Sequence, residues 1–523
     1  MTALAEQSEA VALPPFTEPP APSPRATRRD WIGLAVIALP CLLYAMDLTV
    51  LNLALPRLSE DLLPSSAKLL WIVDIYGFFV AGMLVTMGNL GDRIGRRRLL
   101  LIGAAAFGAA SVLAAFSRSA GMLIVARAVL GVAGATLAPS TLSLIRNMFL
   151  DPRQRRVAIG VWISSYSVGG AIGPLLGGVM LQHLWWGSVF LLAVPVMALL
   201  LVAGPVLLPE YRDPEAGPLD LGSALLSLLS VLLAVYGLKL FAQDGLGWLP
   251  ALSVAGGLAL GTLFVWRQRR VAEPLIDVRL FSVPAFSASL GTYLLGTLVS
   301  FGSYVMIGQY LQLVLGLTPL ASGLWTLPWS GGFIVGSMVT PFLARWIRQV
   351  HLMAGGLALS GAGFAALASV PSTGLAGLVA GTSLISLGMA PVFTVGTDLV
   401  VGAAPPERAG AAAAVSETSS ELGGALGIAV LGSIGTAIYR SRMATAPLDR
   451  VPAGARHAAC DTLGGAVAAA AHLPGDVGLH LAAAARDAFS AALQITAWIC
   501  AVVSVLAAVV AAVALRHARI GGE

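Results

Sequence analysis

The sequence predicts an all-α polytopic membrane protein, because three observations agree. Of its 523 residues, 57% are hydrophobic and only 11% are charged, whereas about a quarter of the residues in a soluble domain are charged. The apolar residues are gathered into fourteen segments, most of them close to the roughly 20 residues that cross a bilayer. Basic residues are concentrated in alternate loops, as the positive-inside rule requires. We therefore predict fourteen transmembrane helices with both termini in the cytoplasm.

The fourteen segments are joined mostly by short connections. They lie near 31–55, 69–90, 99–117, 121–145, 157–181, 186–208, 220–241, 250–267, 285–315, 319–342, 351–370, 374–400, 409–436 and 488–514. Residues 1–30 contain no apolar run, so we expect a disordered cytoplasmic tail and no signal peptide.

A weak internal repeat suggests that the spans form two halves. GGAIG at 169–173 is echoed by GGALG at 423–427, and repeated halves are typical of secondary transporters. We expect a six-helix bundle over 31–208 and a second over 285–514, with two extra helices over 220–267 between them. An extracellular segment, 440–487, separates the last two spans.

The basic residues support this topology. Twenty-one of them fall in the loops assigned to the cytoplasm, and the net charge of +5 reflects those loops rather than a nucleic-acid partner. The opposite short loops and span ends hold four: Arg57, Lys68, Arg118 and Lys239. The long 440–487 segment is exempt from the rule.

Five charged residues remain inside the predicted spans, where each is costly and usually functional. They are Asp47, Asp74, Arg127, Glu417 and Glu421. A rise of 1.5 Å per residue places four of them roughly 20–24 Å above the cytoplasmic boundary, with Glu417 at about 14 Å. A single acid of this kind can be a paired or neutral group without function. Five in nearly one layer favour a site that binds protons or organic cations.

Two further motifs have a physical interpretation. GNLGDRIGRRR at 88–98 predicts a tight cytoplasmic turn with ion pairing that holds this side shut. The residues of this cytoplasmic gate are Gly88, Asp92, Arg93, Gly95, Arg96 and Arg97. GGAIGPLLGG at 169–178 predicts close helix packing through small residues and an opened backbone at a proline. Its packing residues are Gly169, Gly173, Pro174, Gly177 and Gly178.

These motifs, with MDLTVLNLALP at 46–56 and RAVLGVAGA at 127–135, resemble those of the major facilitator superfamily. The resemblance is to its fourteen-span drug:proton antiporters, especially exporters of quaternary ammonium compounds and methyl viologen, and it covers the chain after residue 30. It implies a major facilitator fold of two six-helix bundles plus two central helices. It also implies that Asp47 and Arg127 act in proton coupling, although Leu130 replaces a glutamine that many members carry. A helical hairpin over 440–487 is a further implication.

Aromatic side chains are candidates for the wall of a cation-binding cavity. The set is Tyr44, Trp71, Trp162, Tyr166, Tyr293 and Trp325, with Tyr304 and Trp329 as further members. Tyr166 is preferred, because it lies three residues before the glycine signature. An interfacial belt is the alternative for the others. The two extra helices, with Lys239 near an end, are expected to pack peripherally.

The resulting hypothesis is a proton-coupled exporter of lipophilic organic cations that works by alternating access. The proton is the expected coupling ion, and we expect no cofactor and no metal. The expected partners are small cations and the lipid bilayer of a bacterial cytoplasmic membrane, with a monomer as the transporting unit. Export of an endogenous metabolite, such as an antibiotic or siderophore, is the alternative. The sequence shows no recognisable enzymatic motif, so we predict a secondary transporter and not an enzyme.

Overall fold

The computed structural model describes residues 25–212, 220–245, 247–271, 274–276, 278–402 and 409–515. Within these ranges the chain is helical. In the first half, the helices are α1 (Arg28–Leu62), α2 (Ser66–Ile94), α3 (Arg96–Ala115), α4 (Ala120–Gly134), α5 (Leu137–Met148), α6 (Pro152–His183), α7 (Ser188–Leu191) and α8 (Ala193–Leu207). The two extra helices are α9 (Leu221–Asp244) and α10 (Trp248–Gln268). In the second half, the helices are α11 (Pro284–Gln309), α12 (Pro319–Leu343), α13 (Gln349–Ala368), α14 (Val370–Gly402), α15 (Ala409–Ala444), the short α16 (Ala453–Asp461) and α17 (Leu463–Ala471), and α18 (Gly475–Ala514).

The helices account for the predicted spans. Thirteen segments of the described chain are long and apolar enough to cross a bilayer. Three of these spans each combine two consecutive helices, which are α4 with α5, α7 with α8, and α11 with a π-helical turn at Tyr310–Val314. The fourteenth span is α12, whose 25 residues include two tryptophans and several serines and glycines. The prediction of an all-α, fourteen-span membrane protein is therefore confirmed.

The two halves repeat one packing arrangement. In the first half, α6 lies so close to α1 that a β-carbon on Gly169 would overlap the Leu42 carbonyl oxygen. In the second half, α15 lies against α11 in the same way, and a β-carbon on Gly427 would overlap the Leu298 carbonyl oxygen. Both glycines belong to the repeated glycine motif, and only residues without side chains permit this close approach.

The halves meet at the extracellular ends of their helices. Gly178, near the end of α6, faces the backbone of Leu320 in the first turn of α12. One turn deeper, Gly323 lies against the Pro174 carbonyl group. On the opposite flank, Gly77 of α2 contacts Ala425 of α15. The two halves are therefore in direct contact at both of these flanks.

The extra helices form a hairpin. At its cytoplasmic end, Asp220 caps α9 and pairs with Arg267 of α10 at 2.8 Å. Burial raises the pKa of the Asp220 carboxyl group, but hydrogen bonds from Arg267 and Ser223 outweigh this and lower that pKa to about 2. Deeper in the hairpin, the Ser230 hydroxyl group donates to the Gly257 carbonyl oxygen at 2.8 Å.

We expected both extra helices to pack peripherally, and this expectation was wrong for α9. α9 packs against α2 of the first half and α15 of the second. Lys239 is buried there and does not lie at an exposed span end. Lys239 is buried because it has a charged partner in α2, which is described below. Counting the charges in each loop does not reveal such a partner.

The glycine packing gives a prediction about stability. Gly169→Ala and Gly427→Ala should each lower the free energy of unfolding by about 1–3 kcal/mol, because each new methyl group overlaps a backbone carbonyl. Gly160→Ala is the matched control, since Gly160 also lies in α6 but has open space around its β-carbon position. Thermal unfolding in detergent measures all three. Equal stability of the Gly169 and Gly160 variants would contradict the packing argument.

Candidate functional site

Asp47 and Arg127 form an ion pair inside the first half. The guanidinium Nη1 lies 2.6 Å from the Asp47 carboxylate, and the Arg127 side chain is 1% exposed. The same guanidinium donates to the backbone carbonyl groups of Ile72 and Val73. Its charge also lies 4.8 Å from the centre of the Tyr76 ring. Each of the three guanidinium nitrogens thus donates a hydrogen bond, as a buried cation requires.

The sequence around Arg127 explains how α4 reaches α2. A β-carbon on Gly131 would collide with the Tyr76 backbone, and one on Gly134 would lie 3.0 Å from the Tyr76 hydroxyl oxygen. The small residues of the RAVLGVAGA motif therefore bring Arg127 within reach of α1 and α2. Leu130, which replaces the glutamine of many family members, is fully buried.

Asp74 pairs with a different cation, Lys239 of α9. The lysine Nζ lies 3.0 Å from Oδ1 and 2.8 Å from Oδ2, and both side chains are at most 1% exposed. The Trp71 ring covers the ammonium group, with its centre 3.7 Å from Nζ. Three residues of the predicted charged layer, Asp47, Asp74 and Arg127, therefore take part in two separate ion pairs, which are Asp47 with Arg127 and Asp74 with Lys239.

Glu417 and Glu421 lie on α15 one turn apart. Glu417 is exposed and Glu421 is partly exposed, and both interact electrostatically with Tyr166 on α6 of the first half, so both border the space between the halves. Tyr44 of the first half interacts electrostatically with Glu421. Among the residues that the structure describes, neither glutamate has a lysine or arginine partner. These two acids differ in this respect from Asp47 and Asp74.

A cavity of about 260 Å³ lies between the halves, near the lower end of typical ligand pockets, which hold roughly 300–1,000 Å³. Both halves supply its wall, and the lining is mainly aromatic and small. The residues are Ala45, Thr49, Tyr166, Gly170, Ser300, Phe301, Tyr304, Trp329, Ser330, Phe333, Ile334, Ser386, Met389 and Phe393. Tyr166 interacts electrostatically with Glu417 and Glu421, which links the wall to the two acids.

The aromatic candidates divide into two groups. Tyr166, Tyr304 and Trp329 line the cavity, and the rings of Tyr304 and Trp329 meet edge to face at 5.5 Å. The others do not line it. Tyr44 contacts the rings of Tyr76 and Tyr166, Trp162 donates to Thr141, Tyr293 packs on Phe393, Trp71 covers Lys239, and Trp325 is 38% exposed.

Sequence reasoning missed the phenylalanines of the cavity and the lysine of the second ion pair. Phe301, Phe333 and Phe393 lie in apolar runs, where a wall residue and a lipid-facing residue look alike. Lys239 could have been recognised from the sequence as a candidate for a buried ion pair, because it is one of two lysines in the chain and stands in an apolar segment.

The predicted cytoplasmic gate lies at the junction of α2 and α3. Asp92 pairs with Arg96 at 2.6 Å, and Gly95 has a φ of 110° that only glycine adopts easily. Arg97 donates to the Pro205 and Leu208 carbonyl groups and lies near Glu210. Gly88 faces Pro139, whereas Arg93 is exposed. These contacts stay within the first half, so gating remains a prediction.

The fold and the central cavity define a membrane transporter built from two repeated halves. Residues 37–428 match the Major Facilitator Superfamily, and the chain belongs to that family. It is thus a multi-pass protein of a bacterial cell membrane and a transporter rather than an enzyme.

Similar proteins narrow the class. The chain is 45% identical over 498 residues to the multidrug efflux pump LfrA of Mycolicibacterium smegmatis, covering 94% of this chain and 98% of that protein. It is 36% identical over 475 residues to the methyl viologen resistance protein SmvA of Salmonella typhimurium, covering 88% and 93%. A solved structure of a bacterial homologue of the human lysosomal transporter Spinster, inward-facing and unoccupied, shares the fold at 17% identity with a TM-score of 0.63, covering 93% of this chain and 98% of that one.

The buried arginine gives a second prediction. Arg127→Lys should lower the free energy of unfolding by about 1–3 kcal/mol, because a lysine keeps the charge but loses hydrogen bonds to Asp47 and two carbonyl groups. Arg118→Lys is the control, since Arg118 is exposed in the loop before α4. Thermal unfolding of the purified proteins measures the difference. An Arg127→Lys variant as stable as the parent would show that these bonds are dispensable.

Proposed function

We propose that this chain is a proton-coupled antiporter that exports lipophilic organic cations. The observation that carries the proposal is the contrast between the acids of the two halves. Asp47 and Asp74 are each neutralised by a cation of the chain itself. Glu417 and Glu421 border the space between the halves, and no basic residue of the described chain pairs with them. They are therefore the acids best placed to receive a proton or an organic cation.

Competition for these carboxylates would couple the two movements. A carboxylate in a low-dielectric setting is stabilised when a cation lies close to it. A proton and an organic cation satisfy the same pair of acids, but they exclude each other when space and charge are limited. Entry of protons would thus release the cation, and loss of protons to the cytoplasm would restore the site. Similarity to the multidrug efflux pump LfrA and to the methyl viologen resistance protein SmvA supports this choice of substrate.

The cavity wall suits flat, lipophilic cations. Its aromatic rings attract positive charge through their faces, by about 0.5–2 kcal/mol for each favourable contact. Tyr166, which interacts electrostatically with both glutamates, joins the wall to the acids. The Tyr44–Tyr76 ring contact then leads from this region towards Arg127 and Asp47. We assign the substrate to the cavity and the glutamates, and we assign Asp47 and Arg127 to sensing of the protonation state.

Charge removal tests the proposal. Glu417→Gln with Glu421→Gln should reduce ethidium transport by about tenfold or more, which corresponds to roughly 1.4 kcal/mol. Purified protein in proteoliposomes with an imposed pH gradient provides the assay. Asp449→Asn is the matched control, because Asp449 is exposed outside the spans. Transport that does not depend on the pH gradient would exclude proton coupling. Unchanged transport by the Glu417→Gln, Glu421→Gln double variant would exclude a role for the two glutamates. If ethidium is not carried, export of an endogenous metabolite, such as an antibiotic or siderophore, would become the better function.

The cavity wall gives a paired comparison within one helix. Trp329→Ala should raise the KM for ethidium about 2–30-fold, because it removes an aromatic face from the wall. Trp325→Ala should leave the KM near the parent value, since Trp325 lies one turn away and does not line the cavity. Initial rates over a range of dye concentrations separate KM from the maximal rate. Equal effects of the two substitutions on the KM would show that ethidium does not bind in this cavity.

A further inference from the structure

The α9 helix lies on the seam where the two halves meet. Leu228 of α9 packs against Gly82 of α2, which belongs to the first half. Val235, two turns further along, shares a buried cluster with Ala425 and Ala429 of α15, which belongs to the second half, and with Phe78 of α2. Since α2 and α15 also contact each other, α9 covers their junction. Any rocking of the halves must therefore move α9 relative to at least one of them.

The contacts of α9 with the two halves differ in kind. Towards α2 it makes the Lys239–Asp74 ion pair, with both side chains almost fully buried. Trp71 of α2 adds a ring face 3.7 Å from the ammonium group. Towards α15 its buried contacts are apolar and involve small or aliphatic residues. Within the described chain, no ion pair joins α9 to α15.

The Lys239 side chain lies close enough to the membrane surface to reach it, but it points into the protein instead. Lys239 stands five residues before the end of α9, which is about 7.5 Å of helix rise. A lysine at that depth can extend its ammonium group to the membrane surface. Instead, the side chain turns inward and is held by Asp74 and Trp71. This geometry indicates that the pair is a built attachment point and not a charge escaping the membrane.

The second extra helix follows the first. The hairpin is closed by the Asp220–Arg267 pair at its cytoplasmic end, and close backbone contacts continue along it where Gly237 and Gly257 face the opposite helix. A force applied to α9 is thus passed to α10. The hairpin can be treated as one body whose ionic link is to the first half.

We propose that Lys239 is a positioning residue: it fixes the Asp74 carboxylate and attaches the α9–α10 hairpin to the first half. The apolar α9–α15 interface then slides while the halves alternate. This inference goes beyond the proposed function, because it holds for any substrate that is carried by rocking of the halves. It also gives Asp74 a specific role, which is to neutralise Lys239 and not to bind the proton or the substrate.

Mutual suppression tests this role. Asp74→Asn or Lys239→Met alone should lower the melting temperature by roughly 5 °C or more, because each leaves an unpaired charge in the membrane. Each should also reduce ethidium transport about tenfold, by the same unpaired charge. The double variant should recover most of both properties. Lys68→Met is the control, since Lys68 is the other lysine of the chain and is exposed.

The possible outcomes separate this inference from the proposed function. A double variant that is stable but carries no ethidium would overturn the inference, because Asp74 would then be needed for transport itself. A double variant no more stable than the single variants would overturn it as well. If the parent protein carries no ethidium, the proposed function fails. The melting temperatures would still decide whether the two residues need each other.

Cross-links test the sliding. In a chain whose native cysteines Cys41, Cys460 and Cys500 are replaced by alanine, Gly82→Cys with Leu228→Cys would join α2 to α9. A β-carbon on Gly82 lies 3.4 Å from that of Leu228, close to the roughly 3.5–4.5 Å of disulfides. Val235→Cys with Ala429→Cys would join α9 to α15. Gly77→Cys with Ala425→Cys joins the halves directly and serves as the locked control.

Oxidation, or a short thiol-reactive cross-linker, should leave transport unchanged in the α2–α9 pair. The α9–α15 pair and the locked control should both lose about tenfold or more of their ethidium transport, which thiol reduction restores where the link is a disulfide. Transport that survives an α9–α15 link would overturn the sliding interface. Loss on linking α2 to α9 would overturn the attachment to the first half.

Discussion

The cost of an unpaired charge in the membrane interior is the constraint on which this structure depends. Burial of an isolated charge is so unfavourable that each ionic group inside the spans must be paired, wetted or functional. Arg127 is paired and Lys239 is paired, each through a carboxylate and an aromatic ring. Glu417 and Glu421 satisfy the constraint differently, because they border open space. The distribution of charge therefore divides the molecule into a compensated half and a half that can accept cations.

Close helix packing makes this distribution possible. Arg127 reaches Asp47 only because glycines let α4 approach the backbone of α2. The same principle sets α6 against α1 and α15 against α11, through glycines of the motif that the two halves share. Since small residues carry this packing, the interface between helices has little side-chain bulk to rearrange. The charged pairs then give individual contacts their specificity, while the glycines give the repeated halves their common shape.

The extra helices take part in this arrangement. α9 meets both halves at the α2–α15 junction and is linked by charge to the first half. A helix placed on a moving seam needs one firm contact and one yielding contact if it is to remain packed during transport. The ionic pair with Asp74 and the apolar cluster around Val235 have these opposite properties. The two additional spans are thus understood as part of the moving machinery rather than as an appendage.

The sequence by itself determined the membrane class, the fourteen spans, the repeated halves and the residues that carry charge within them. These properties follow from hydropathy, loop charge and local motifs, which are written along the chain. Only the tertiary structure decided the partners: Asp47 with Arg127, Asp74 with Lys239, and the cavity wall at Tyr166, Tyr304 and Trp329. Depth along a helix can be counted from its ends, but the direction that a side chain faces depends on how helices rotate and pack. That is why Lys239, apparently a span end, proved to be the buried partner of Asp74.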